Sequence, residues 1–143
     1  MADNTYSGSC FCGSVQFSVT GAPVAQGYCH CESCRHWSAG PVNGFSLWQP
    51  DALQVTKGAE HIGTYNKTEQ SYRKWCTKCG GHVFTDHPGF KLVDVYAAVI
   101  PGMKFEPQLH IFYGEKAVSI KDGLPKFQDI PADMGGSGAT LSE

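Results

Sequence analysis

The sequence predicts a mainly β fold with a few short helical turns, on three observations. Short segments alternate apolar and polar residues with a period of two, as half-buried strands do. Turn signals recur between them, drawn from 17 glycines and 8 prolines. No segment sustains a 3.6-residue apolar period, so no long helix is expected.

The elements follow in chain order. Val15, Phe17 and Val19 alternate with Ser14, Gln16, Ser18 and Thr20, which predicts a strand with one buried face. Val42 to Trp48, Leu53 to Thr56, Ile62 to Tyr65, Ser71 to Trp75 and His82 to Thr85 read as further short strands. Leu92 to Ile100 reads as a longer one, followed by Leu109 to Tyr113 and Val118 to Ile120. Gly21-Ala22-Pro23, Gln49-Pro50-Asp51, Lys57-Gly58, Gly80-Gly81, His87-Pro88-Gly89, Ile100-Pro101-Gly102 and Lys121-Asp122-Gly123 separate them as turns. Helical turns are expected at Glu32 to Ser38 and Pro50 to Leu53. A single domain is expected over residues 7–130. The small, polar, glycine-rich residues 131–143 are expected to form a flexible C-terminal tail.

Composition narrows the function classes. The 143 residues are 41% hydrophobic and only 17% charged, which excludes a charge-rich disordered chain. A net charge of −2 argues against a general nucleic-acid binder. The longest apolar run, Val95 to Ile100, is far too short to span a membrane. Met1-Ala2-Asp3-Asn4-Thr5 carries neither a basic region nor an apolar stretch, so a cytoplasmic location is expected.

Seven cysteines are the strongest signal. They fall in three clusters: Cys10-Phe11-Cys12, Cys29-His30-Cys31-Glu32-Ser33-Cys34 and Cys76-Thr77-Lys78-Cys79. An odd count in tight spacing without a secretion signal argues against a disulfide framework and for metal. A Cys-x-Cys pair on extended chain puts both sulfurs on one face, and a Cys-x-x-Cys at a turn points both at one centre. Zinc takes four tetrahedral ligands, so Cys10, Cys12, Cys76 and Cys79 make a closed structural site. Cys29, Cys31 and Cys34 then hold a second zinc with one position open, the pattern of a reactive site.

Other readings stand beside this one. The cysteines could be free core residues, or four of them could hold iron or an iron–sulfur cluster. The second site could be closed by His30, Glu32, His36 or His82, making both sites structural. His30-Cys31-Glu32 with Cys76 to Cys79 also fits part of a zinc deaminase signature, but Trp75 stands where proline is required and the flanking helices are missing.

The chain resembles the glutathione-dependent formaldehyde-activating enzyme family over about Gly8 to Phe127. The resemblance rests on Gly8-Ser9-Cys10-Phe11-Cys12-Gly13-Ser14-Val15, Cys29-His30-Cys31-Glu32-Ser33-Cys34-Arg35 and Cys76-Thr77-Lys78-Cys79-Gly80, with weaker echoes at His110-Ile111 and Leu124-Pro125-Lys126-Phe127. It implies several coiled, mostly antiparallel β-sheets around a structural zinc. It implies the same four-plus-three division of the cysteines, and two zincs per chain. It implies an activity that joins glutathione and formaldehyde into S-hydroxymethylglutathione or reverses that step, with broader members resembling carbon–sulfur lyases acting on other glutathione S-conjugates. The family often has glycine directly after the serine that here is Ser38, where this chain has Ala39 and then Gly40.

A zinc held by three thiolates is a weaker Lewis acid than one held by three imidazoles, which favours thiol chemistry over hydrolysis. The proton then needs a carrier. His30, His36, His82 and His110 are the candidates, with His30 and His36 first because they lie in or beside the second cluster. Arg35 could offset thiolate charge or grip a glutathione carboxylate. Trp37 and Trp48 could wall a pocket or pack in the core. The alternative function is a non-catalytic zinc module that binds a protein partner.

Overall fold

The computed structural model describes residues 4–143. The leader reading falls largely on residues 1–3, outside the described residues. Among the described residues there are ten strands in two sheets and a single α-helix, and no helix is long and apolar enough to cross a membrane. The chain divides into two compact units. The first holds the described residues up to Ala25 together with Ser46–Phe105; the second holds Gln26–Phe45 and Glu106–Glu143.

In the first unit, β1 (Thr5–Ser9), β2 (Gln16–Thr20) and β5 (Leu53–Lys57) form an antiparallel sheet in the order β1-β2-β5. The alternation in β2 is realised as expected: Val15, Phe17 and Val19 are buried while Gln16 and Thr20 are exposed. β9 (Leu92–Tyr96), β8 (His82–His87), β7 (Ser71–Cys76) and β6 (Ile62–Thr68) lie side by side in that order, joined by antiparallel pairing. Trp48, Val83, Val93, Val95, Ile100 and Met103 complete an apolar core with Val15, Phe17 and Val19. Trp48 is therefore core. Its indole Nε1 donates to Ser46 Oγ at 2.9 Å, and that hydroxyl donates to Val95 O at 2.6 Å.

Gly58 sets the approach of the β5–β6 connection to the first cysteine loop. Its φ is +77°, and a Cβ there would stand 1.9 Å from Ser14 O. Gly58→Ala is expected to cost at least about 1–2 kcal/mol from the left-handed backbone alone. Displacing Ser14 should add to this and loosen the loop that carries Cys10 and Cys12. A thermal melt checks it, and an unchanged midpoint would contradict the close approach.

In the second unit, β10 (His110–Ile111), β3 (Ala25–Cys29) and the start of β4 (Asn43–Trp48) lie in that order. β10 pairs parallel to β3, with His110 opposite Tyr28 and Ile111 opposite Cys29. Helix α1 (Glu32–Ser38) starts where expected and ends on Ala39, a non-glycine residue at φ 58°. This unit buries several polar side chains beside Phe45 and Cys29: His30, His110, Tyr113 and Lys126 are all essentially without solvent exposure.

Several elements differ from the sequence expectation. The long strand expected over Leu92 to Ile100 stops at Tyr96 and continues as a 3₁₀ turn over Ala97–Val99. Leu109 to Tyr113 contributes only the two-residue β10, and Val118 to Ile120 is not a strand. β1 and β3 were not expected; TYSGS and AQGYC carry too little apolar alternation to mark them. The segment from Pro131, expected as a loose extension, folds back through backbone bonds. Gln128 N donates to Ala139 O and Leu141 N to Lys126 O, both at 2.8 Å, and Asp129 accepts from Ser137. Polar, glycine-rich chain without apolar periodicity can still pair its amides, and that pairing leaves no periodic trace in the sequence.

Candidate functional site

Two hairpin turns of the first unit carry the first cysteine group. Cys10 and Cys12 lie in the β1–β2 loop, and Cys76 and Cys79 at the β7–β8 turn. Each loop turns on a glycine at positive φ, Gly13 at 80° and Gly80 at 76°. Backbone amides point at the sulfurs: Val15 N to Cys10 Sγ at 3.3 Å, Lys78 N to Cys76 Sγ at 3.4 Å and Gly81 N to Cys79 Sγ at 3.3 Å. Such donors suit thiolates. The four sulfurs lie within 4.8 Å of one another. Cys10 and Cys12 Sγ are 3.7 Å apart, and Cys12 and Cys76 Sγ 3.9 Å. Tetrahedral zinc with Zn–S of about 2.3 Å puts its sulfurs about 3.8 Å apart, so the donor set fits zinc. A disulfide would need about 2.05 Å.

The sulfurs are electrostatically unequal. The side chain and backbone of Ser14 hold the Cys12 thiol down at about 6. Burial pushes the Cys76 thiol up. Phe11, between Cys10 and Cys12, is 93% exposed. His82 is half-buried in β8, edge-on to Tyr96 at 5.5 Å, with burial and then Arg73 holding its pKa down.

The second unit carries Cys29 at the end of β3, Cys31 as the N-cap of α1, and Cys34 one turn into the helix. Their three sulfurs also lie within 4.8 Å of one another, and both groups consist of cysteines alone. Cys34 N donates to Cys31 Sγ at 3.3 Å, and the Cys29 thiol donates to Cys31 Sγ at 3.4 Å. These bonds concentrate negative charge on Cys31. Cys29 and Cys34 lower its pKa to about 3 against the opposing effect of burial, while hydrogen bonding to Cys31 and Cys34, then burial, push Cys29 well up.

The candidate catalytic residues fare differently. His30 is fully buried between the first two cysteines of this group, and its Nε2 lies 2.8 Å from His110 Nδ1. Burial, then His110 and the cations Lys116, Arg35 and Lys126, lower its pKa to about 4. Arg35 donates from Nε to His30 O at 3.0 Å and from Nη2 to Glu115 O at 2.8 Å. It ties the cysteine loop to the 3₁₀ turn Tyr113–Glu115. His36 is exposed on α1.

The sequence did not single out Asp122, Lys126 or Tyr113. Asp122 Oδ2 lies 2.8 Å from His110 Nε2, and Lys126 Nζ lies 2.8 Å from Asp122 Oδ1. Tyr113 packs edge-on against both imidazoles, at 4.8 Å from His30 and 5.5 Å from His110. Its hydroxyl bonds Glu143, and Ile120 N donates to it. The signal for Asp122 was its turn position, which spoke only of backbone.

Burial alone would raise the Asp122 carboxyl, but hydrogen bonds from Lys126 and His110 outweigh it and hold the group well below the usual carboxylate range. A depressed folded-state pKa gives stability that is complete above the unfolded value near 4 and lost as pH falls through the folded value. Thermal midpoints followed below pH 4 are therefore expected to fall more steeply in the unmodified protein than in Asp122→Asn. Parallel curves would contradict the ion pair.

An uncharacterized lyase of Schizosaccharomyces pombe is 29% identical over 75 residues, 52% of this chain and 53% of the relative. The chain thus spans about half the length of the curated relative it matches. A solved structure of a Rhodobacter sphaeroides protein aligns with a TM-score of 0.55 and 22% identity, covering 68% of this chain and 90% of that one, a likeness of fold. The family profile described as glutathione-dependent formaldehyde-activating enzyme matches residues 5–115. With that match over most of its length, this chain belongs to the glutathione-dependent formaldehyde-activating enzyme family.

Proposed function

We propose that this protein makes or breaks carbon–sulfur bonds in glutathione adducts, S-hydroxymethylglutathione or another S-conjugate, and that it carries two zincs. Cys10, Cys12, Cys76 and Cys79 would hold a structural zinc, and Cys29, Cys31 and Cys34 a second, reactive one. The observation that carries this reading is the second group: three converging sulfurs, with no other ligand type in the set among the described residues. Family membership and the lyase named among the relatives support it. Zinc bound by three thiolates supplies a fourth position at which a substrate thiol loses its proton and a departing thiolate is stabilised.

The protein's own residues do the rest. Cys31, whose thiol its neighbours Cys29 and Cys34 hold down at about 3, anchors the set from the start of α1. Arg35 holds the cysteine loop by its grip on the carbonyls of His30 and Glu115. His30 serves as the proton carrier. Its buried Nδ1 has no hydrogen-bond partner among the described residues, and a neutral imidazole is a competent base. His36, exposed on α1, ranks behind it.

Zinc analysis of the purified chain, paired with calorimetric titration of reduced glutathione, tests the reading. Two zincs per chain and a saturable heat are expected, with hydroxymethyl exchange between glutathione and formaldehyde above the uncatalysed rate. One zinc and no heat, persisting after zinc is added back, would sink the reading in favour of a non-catalytic module.

A further inference from the structure

The start of helix α1 carries two of the three sulfurs of the second cysteine group, on Cys31 as its N-cap and on Cys34. The helix is only seven residues long, and none of them is buried. So short a helix is not stable alone in water, so what its first turn is tied to sets its place. Its first amides have no carbonyl a turn behind them. Cys34 N donates to Cys31 Sγ at 3.3 Å, but sulfur is a weak acceptor and this one belongs to the cysteine group itself. Glu32 N donates to Glu115 Oε1 at 3.0 Å, across 83 residues of chain. Arg35 Nη2 donates to the main-chain oxygen of the same Glu115 at 2.8 Å. One residue thus takes bonds from both ends of the stretch Glu32 to Arg35, which spaces Cys31 from Cys34.

Glu115 is exposed, so burial does not place it. The turn that carries it does. Phe112 enters the Tyr113–Glu115 turn at φ 52°, a left-handed conformation uncommon for a residue with a side chain. Backbone persists there only where its surroundings over-determine it. Three amides do so: Phe112 N donates to Asp129 O at 2.7 Å, Tyr113 N to Phe127 O at 3.0 Å and Gly114 N to Gln128 O at 3.3 Å. The buried side chain of Tyr113 adds a further anchor, since its hydroxyl donates to the Glu143 carboxylate and accepts from Ile120 N. The turn is therefore rigid where it meets α1, and it points one carboxylate and one carbonyl at the helix.

We propose that Glu115 is a positioning residue for the second metal site: it fixes the first turn of α1 so that Cys31 and Cys34 converge with Cys29 ahead of the metal. This rests on the reading of those three cysteines as a metal site. Without the side-chain bond, the first turn frays, and binding must reorder it at the expense of affinity. Position 115 has to supply an acceptor within reach of Glu32 N, and a charge is not required. Glutamine keeps such an oxygen. Alanine keeps only the main-chain bond from Arg35. By linkage, a metal held by the group steadies the Glu32–Glu115 bond in return.

Chelator competition on the zinc-loaded full chain tests this, with zinc counted per chain and thiol alkylation mapped by mass spectrometry to show which cysteines each lost zinc exposes. Glu115→Ala is expected to release the zinc of Cys29, Cys31 and Cys34 at a chelator activity roughly 2- to 30-fold lower, the range that one helix-capping bond spans. The zinc of Cys10, Cys12, Cys76 and Cys79 should be unaffected. Glu115→Gln should restore the release point of the unmodified chain. Amide hydrogen exchange at Glu32 should quicken in Glu115→Ala with zinc and without it, and stay slow in Glu115→Gln. Equal weakening of both zincs would mark a residue of general stability only and overturn the proposal. So would an unchanged second zinc in Glu115→Ala, which leaves the two-zinc reading standing. An unmodified chain that binds no second zinc would sink that reading, and this proposal with it.

Discussion

Replacing Cys76 with serine is expected to abolish cooperative unfolding of the first unit and to release one zinc per chain. Cys76 is wholly buried and takes part in the apolar core as well as in the four-sulfur group. Serine would bring a shorter, polar side chain into that core, facing Lys78 N, and remove a ligand from the metal. Structural zinc contributes roughly 10–16 kcal/mol of apparent binding free energy, which matches or exceeds the roughly 5–15 kcal/mol that stabilises a typical domain. The two hairpins it joins are far apart in the chain, Cys12 and Cys76 being 64 residues apart. Closing a loop of that length costs about 4 kcal/mol of chain entropy, a cost that a bound metal would help to offset. Thermal melting followed by near-ultraviolet circular dichroism, with zinc analysis, checks this. A sharp transition near the unmodified midpoint would show that the first group is not a staple.

Cys31→Ser should behave in the opposite way, removing function while sparing the fold. Cys31 is the N-cap of α1, and its sulfur accepts from Cys34 N. Serine is among the preferred N-caps, so the helix start survives, with a change in stability expected below about 1 kcal/mol. The second metal position loses a thiol held down at about 3. One zinc should remain per chain, the heat of glutathione binding should vanish, and exchange activity should fall to the uncatalysed rate. If Cys31→Ser unfolds as readily as Cys76→Ser, the two groups do not divide structure from chemistry in this way.

The cysteine groups were legible in the sequence because their spacing is local. Cys-x-Cys and Cys-x-x-Cys converge within a turn, and the count of four ligands for one zinc already joined Cys10 and Cys12 to Cys76 and Cys79. The mainly β class was legible from alternation, most clearly in β2, where Val15, Phe17 and Val19 are buried as expected. β1 and β3 were not, because their residues lack an apolar rhythm and their order comes from neighbouring strands. The polar cluster behind His30 was legible only in part. His110 was marked as a titratable candidate, but it meets His30 across 80 residues of chain. Asp122 and Lys126 sit in a turn and beside a proline, where nothing local signals burial or pairing. Arg35 was expected near charge, and the structure puts it on backbone carbonyls, a use that residue type alone does not reveal.

The contrast between the two interiors reaches into calorimetry. Apolar surface exposed on unfolding raises the heat capacity by about 0.45 cal/K/mol per Å², whereas polar surface lowers it by about 0.26. The first unit hides valines, Phe17, Trp48 and Ile100 beside Arg73 and Asp94, while the second hides two imidazoles, a phenol and an ammonium group beside Phe45. Residue for residue, the second interior therefore unfolds with the smaller heat-capacity increment. Its stability is correspondingly flatter against temperature, so the segment that holds His30 in register loses little of its margin on cooling or on moderate warming.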